Sequence, residues 1–427
     1  MTLLAAVLVV LAVALWASAR VPEYLVALGF FTAALLLRLA PPAVVFSGFT
    51  SGALWLIFGG QVMGVGIRHT GLAGRIADVA ARRLGARSYG AVIAGAVALG
   101  TFVSFFLPSA MGRVALLMPV AAAMADRYGF REAGDGRTGI LLAVAFGTTA
   151  PAMAILPANV PNAVLAGAAE GQGVTLGYLE YLALHFPVLG ALKAVAVAAV
   201  MLLLFPARLA AKPESGPPPA PLSGPERLMA GLLVAALALW ATDTLHHLPP
   251  AWVSLAAAVP VLVPGLRLAP KRALQEVNFG SLFFVAGILG LGSVISYTGL
   301  GRLLGDAARA ALPLAPGAPA VKFASLAAMG VALSLVTTGP GLPAVMTPLV
   351  GPLATASGLP VRTVLMAEVL GFSTNLLPYQ SPPLVVASQL VDLPSRKATA
   401  ASLALFALTV GVLLPLDYLW WRLLGWL

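Results

Sequence analysis

The sequence contains no cysteine, which removes disulfides, thiolate metal sites and cysteine nucleophiles from consideration. Charge is scarce as well: 9% of the residues are charged, 15 acids against 25 bases. The four histidines, His69, His185, His246 and His247, fall near the ends of apolar runs. None belongs to a metal-ligand spacing such as HExxH, so they read as interfacial. A chain this poor in charge and 60% hydrophobic is not a soluble globular protein. Its 427 residues are therefore counted as membrane crossings rather than as soluble domains.

Glycine and proline, by contrast, are abundant, at 44 and 34 residues. Inside a bilayer they are tolerated where helices pack closely or break around a protein-lined cavity. The net charge of +10 sits mainly in short loops between apolar runs. That is charge that orients a membrane protein, not a nucleic-acid face.

The chain also carries a copy of itself. Residues 51–84 reappear as residues 279–312, with 11 of 34 aligned positions identical, including Gly59/Gly287, Gly64/Gly292, the Thr-Gly-Leu run 70–72/298–300 and Asp78/Asp306. Each copy is a membrane-length apolar run followed by a short amphipathic one (75–87 and 302–312), which reads as an interfacial helix. An internal duplication in a polytopic chain points to a secondary transporter.

Apolar runs predict crossings near 2–19, 24–40, 51–67, 138–169 and 183–206, then 228–245, 251–266, 279–297, 361–390 and 399–421. Ala17-Ser18-Ala19 resembles a signal cleavage site, but the basic n-region is missing, so 2–19 reads as a retained first helix. Two runs, 89–124 and 319–354, are interrupted near their middles by Pro or Gly and read as re-entrant hairpins. With both termini outside, the inside segments hold 17 of the 25 basic residues and the outside segments six. Residues 1–206 and 227–427 then form two repeats of five crossings, joined by the Pro-rich cytoplasmic linker 207–226. An odd number of crossings makes the second repeat run inverted. The expected fold is an all-α polytopic membrane protein of two inverted repeats, each with one re-entrant hairpin and one discontinuous helix, in a bacterial-type inner membrane.

Four interruptions stand where chemistry is expected: the tip 106–113, the stretch 147–162, the run 336–341 and the stretch 371–383. Broken helices expose unpaired N–H and carbonyl groups, which a bound anion or cation can satisfy.

Ser109-Ala-Met-Gly-Arg-Val-Ala-Leu-Leu-Met-Pro119 resembles the Ser-Asn-Thr hairpin motif of the divalent-anion:sodium symporters, and Thr338-Gly-Pro with Pro348 repeats its spacing. Pro157-Ala-Asn-Val-Pro-Asn162 is similar to that family's unwound Gly-Thr-Pro-Pro-Asn loop, and Pro378-Tyr-Gln-Ser-Pro-Pro383 to its second copy. The resemblance covers nearly the whole chain. It extends more loosely to the superfamily that includes arsenite permeases, citrate carriers and the large subunits of tripartite dicarboxylate transporters.

The resemblance implies substrate contacts from Ser109, Ala110 and Met111, from Thr338, Gly339 and Pro340, and from the loop residues Asn159, Val160, Pro161, Asn162, Gln380, Ser381, Pro382 and Pro383. It implies coupling-ion contacts from Thr148, Thr149, Ser373 and Thr374, with Na⁺ at the tips and unwound loops. Ser-Ala-Met and Thr-Gly-Pro lack the motif's Asn and Thr oxygens, which leaves coupling to Na⁺ or H⁺ open.

Arg113 and Glu368 lie within apolar runs. Intramembrane charges of this kind mark substrate or ion pathways, so Arg113 is a substrate candidate and Glu368 a coupling-proton candidate. Lys193 reads as a scaffold or interface lysine. The expected activity is secondary transport of a small anion (dicarboxylate, sulfate or similar) by an elevator-type mechanism, in a homodimer within a lipid bilayer. No cofactor, nucleic-acid partner or enzymatic role is expected. A proton-driven exporter of the same superfamily is the alternative, with a passive channel and an intramembrane enzyme more remote.

Overall fold

The computed structural model describes residues 2–18, 20–72, 74–75, 88–130, 134–209, 221–301, 303, 318–337, 339–391 and 393–427. Both expected interfacial helices fall almost entirely outside the described residues, as do Thr338 and most of the linker. Among the described residues the secondary structure is all helical.

The first half opens with α1 (Thr2–Ser18), α2 (Glu23–Leu36) and α3 (Gly52–His69). An interrupted pair follows, α4 (Tyr89–Val103) and α5 (Ala110–Arg127). Next comes a broken helix, α6 (Asp135–Thr149) and α7 (Val160–Glu170), and then α8 (Tyr178–Leu204). The second half repeats this order. It has α9 (Gly224–Ala241), α10 (Pro250–Leu262) and α11 (Phe279–Tyr297), then the interrupted pair α12 (Pro319–Val336) and α13 (341–357). The broken helix α14 (Val361–Phe372) and α15 (Pro382–Leu390) leads to α16 (Ser395–Leu423). Helices α8, α9, α11 and α16 are long and apolar enough to cross a membrane.

Helix starts follow local chemistry. Ser51, Ser88 and Asn278 accept backbone N–H groups at the beginnings of α3, α4 and α11, and Ser223 and Glu226 form a reciprocal capping box on α9. Proline opens or precedes α2, α10, α12, α14 and α16, where a missing N–H costs nothing.

The halves pack reciprocally. Helix α3 lies on α10 of the other half, and α11 lies on α2; α7 meets α13, and α15 meets α5. The duplicated glycines explain the first two contacts. A Cβ on Gly59 would lie 2.6 Å from the Ser254 carbonyl, and one on Gly287 would lie 2.4 Å from the Ala27 Cβ. Small residues let helix backbones approach closely, so each duplicated glycine marks a helix crossing. The Thr-Gly-Leu run is a helix stop in both copies. Thr70 and Thr298 donate their hydroxyls to carbonyls one turn back, each at 2.8 Å, and Gly71 and Gly299 take φ of +81° and +74°.

Helices α8 and α16 each carry a π-helical stretch, Phe186–Leu192 and Thr409–Leu413, and these stretches touch. Such bulges shift the face a helix presents and gather at functional sites.

Candidate functional site

Arg113 stands in the first turn of α5, fully buried. All five of its N–H donors reach protein oxygens. Nε donates to the Thr148 carbonyl and hydroxyl at 3.2 and 3.1 Å. Nη1 donates to the carbonyls of Leu107 at 2.6 Å and Ala158 at 2.8 Å, and Nη2 to the Thr148 carbonyl at 3.0 Å and Asn159 Oδ1 at 3.2 Å. One guanidinium thus ties the first tip to both ends of the first helix break. Glu368, which also lies within an apolar run, is not its counter-charge. No ion pair joins them, and Arg113 is neutralised by carbonyl dipoles instead.

Gln380 does the equivalent work in the second half. Its Nε2 donates to the Ser334 carbonyl at 2.7 Å, while its Oε1 accepts from Leu376 and Leu377 N–H, both at 2.8 Å. Tyr379 adds a bond to the Leu335 carbonyl at 2.9 Å. These carbonyls end α12, where intrahelical partners run out. The second tip then meets both breaks, since a Cβ on Gly339 would lie 3.3 Å from Pro161 and 3.8 Å from the Gln380 carbonyl.

Of the remaining expected residues, Ser109 caps α5 through its Oγ, which accepts the Gly112 N–H at 3.1 Å. Ala110 is half-buried and Met111 is 43% exposed, so this stretch lies toward the surface rather than among the buried loop residues. Asn162 donates to the Ile155 carbonyl at 2.7 Å, and its Oδ1 and the Asn159 Nδ2 are buried without partners.

A small cavity of ≈20 Å³, room for about one water molecule, lies between the breaks. Thr149, Lys193, Ser373, Asn375, Ser381 and Thr409 are in its wall. Asn375 Oδ1 and Ser381 Oγ are buried there without hydrogen-bond partners. Lys193 is 1% exposed and donates to the Ser373 carbonyl, while Asp417 on α16 is fully buried with both carboxylate oxygens lacking hydrogen-bond partners. Sequence reasoning missed Asp417 and set Lys193 aside. The available signal was complementarity, for Lys193 is the single charge in the run 183–206 and Asp417 the single charge in 399–421.

Glu368 is fully buried, and both its oxygens accept the Thr347 hydroxyl, at 3.0 and 3.1 Å. Thr347 also lines a cleft of ≈520 Å³ with Ser51, Glu170, Ser293, Ser296 and Tyr297. The carboxyl therefore lies one hydroxyl away from a large cleft of mixed polar and apolar lining. Among the described residues no cluster of His, Asp and Glu is arranged to hold a metal ion.

The family model described as "Citrate transporter", CitMHS, matches residues 13–371. The chain belongs to the CitMHS citrate transporter family. The resemblance to divalent-anion:sodium symporters thus resolves within the same superfamily, on its citrate-carrier side. A Cupriavidus necator protein described as "Membrane protein" is 24% identical over 402 residues, 89% of this chain and 76% of its own length. The crystal structure of the Alcanivorax borkumensis YdaH transporter, described as having an unusual topology, superposes with a TM-score of 0.58. It has 17% identity and covers 90% of this chain and 87% of its own. At that identity the likeness shows a shared fold. Family and fold are those of an integral membrane transporter, not an enzyme.

Proposed function

We propose that this CitMHS-family chain moves a small carboxylate anion, of the citrate or dicarboxylate class, by elevator-type alternating access coupled to protons. The observation that carries the reading is the second tip, where Gly339 lies between Pro161 and Gln380, beside the starts of α7 and α15. Half-helix N-termini carry positive dipole ends, which suit an anion near a repeat interface. Asn159, Asn162, Gln380, Ser381 and the tip residues 109–111 and 338–340 are its contacts in this reading. Protonation of Glu368 supplies the coupling, with Thr347 and the cleft as its route to water.

The inverted arrangement, with re-entrant tips and both termini outside an inner membrane, draws support from the ion pairs. Arg75–Glu226, Arg68–Glu276 and Lys397–Asp135 each join segments assigned to the inside, and Arg362–Glu180 joins two assigned to the outside. Helices α1–α3 and α9–α11 would serve as scaffold and dimer interface.

Proteoliposomes test this reading with radiolabelled citrate, succinate and sulfate under an imposed pH gradient or Na⁺ gradient. The expected result is accumulation of a carboxylate under the pH gradient, collapsed by a protonophore. Equilibration without accumulation would identify a passive channel. Transport of sulfate alone would overturn the carboxylate reading.

A further inference from the structure

The carbonyl end of each broken helix is held by a positively charged side chain. In the first break the Thr148 carbonyl, in the last turn of α6, accepts two Arg113 N–H groups at 3.2 and 3.0 Å. In the second break the carbonyl of Ser373, the C-cap of α14, accepts the Lys193 ammonium. These are orphan acceptors at the negative end of a helix dipole. In transporters built on broken helices, such carbonyl ends are where coupling cations are coordinated.

The two cations differ in setting. Arg113 is enclosed by six hydrogen bonds and faces no acid among the described residues. Lys193 sits beside a cavity with two oxygens to spare, Asn375 Oδ1 and Ser381 Oγ. Carbonyl, amide and hydroxyl oxygens form the donor set that a hard monovalent cation prefers. The π-helical stretch ending at Leu192 leads directly into Lys193.

We infer that the Lys193 ammonium is a tethered replacement for a coupling Na⁺, occupying a monovalent-cation seat built from the Ser373 carbonyl, Asn375 and Ser381. The wild-type chain accordingly binds no Na⁺ at its second helix break, and removing the lysine opens that seat to a free cation. The inference rests on the transporter reading, yet its test uses Na⁺ alone, so its failure would leave that reading standing.

The experiment is thermal unfolding of the purified full chain in detergent. NaCl is titrated against N-methylglucamine chloride at constant ionic strength, for wild type, Lys193→Arg and Lys193→Ala. Wild type and Lys193→Arg are expected to melt at the same temperature in both salts. Lys193→Ala is expected to melt lower in N-methylglucamine and to recover with Na⁺ in a saturable way, as binding to the folded state requires. Saturable Na⁺ stabilisation of the wild type would overturn the proposal. So would a folded Lys193→Ala that ignores Na⁺, or one that cannot be recovered even when purified in Na⁺, because the vacated seat is expected to accept it.

Discussion

Thr347 donates its hydroxyl to both oxygens of Glu368, at 3.0 and 3.1 Å, and the same residue lines the ≈520 Å³ cleft. No cation pairs with Glu368 among the described residues, and its partner is the neutral hydroxyl of Thr347, itself 2% exposed. In the proposed proton coupling, Thr347 is the one side chain between carboxyl and cleft. Glu368→Gln keeps the shape and a Thr347 contact but removes the titrating oxygen. The expected outcome is intact substrate binding with loss of its pH dependence and of proton-driven accumulation. Na⁺-driven accumulation surviving in this variant would return Glu368 to a purely structural role.

Arg113→Lys probes the clip in the first half. Lysine offers three donors on a point charge where arginine offers five in a planar fork. At least two of the five oxygens that Arg113 serves, on Thr148, Ala158 and Asn159 of the break and Leu107 of the tip, lose a partner. Each buried acceptor left unpaired costs about 1–3 kcal/mol, so the loss of two should destabilise the variant by roughly 2–6 kcal/mol. Thermal unfolding in detergent measures this. Unchanged stability with lost transport would instead assign Arg113 to the substrate.

Several features were legible in the sequence because they leave a residue signature. Proline marks each helix break, and the recurring Gly59/Gly287 pair marks two helix crossings. The Thr-Gly-Leu run marks a stop. The first tip was displaced by a few residues: the sequence centred it on 106–113, whereas α5 already begins at Ala110, which puts Arg113 inside a helix. What the sequence hid was partnership. Arg113 bonds to backbone carbonyls, which every residue carries, so no pattern names them. The Lys193–Ser373 bond joins two helices from opposite halves, again through a backbone carbonyl, and π-helical bonding has no residue signature of its own.

The reciprocal packing makes a paired prediction. Gly59→Val and Gly287→Val place side chains against Ser254 and Ala27, where even a Cβ would lie at 2.6 and 2.4 Å. Overpacking of this kind costs about 1–3 kcal/mol. Both variants should lose thermal stability by similar amounts, and their effects should add, since the two crossings share no partner. Tolerance of valine at either site would contradict the close approach of α3 to α10 or of α11 to α2.

Orientation in the membrane gives the final prediction. The ion pairs Arg75–Glu226 and Lys397–Asp135 tie together segments that carry the dense positive charge, while Arg362–Glu180 ties together the sparsely charged side. Basic loops remain cytoplasmic as a chain inserts. If the second repeat is inverted, the duplicated stretches after α3 and α11 must emerge on opposite faces. The absence of cysteine allows single cysteines to be introduced near Arg82 and near Arg309 without background. A membrane-impermeant maleimide applied to intact cells should label the position near Arg309, and the position near Arg82 only after permeabilisation. Labelling of both from one side would sink the inverted arrangement, and with it the midplane site between repeats.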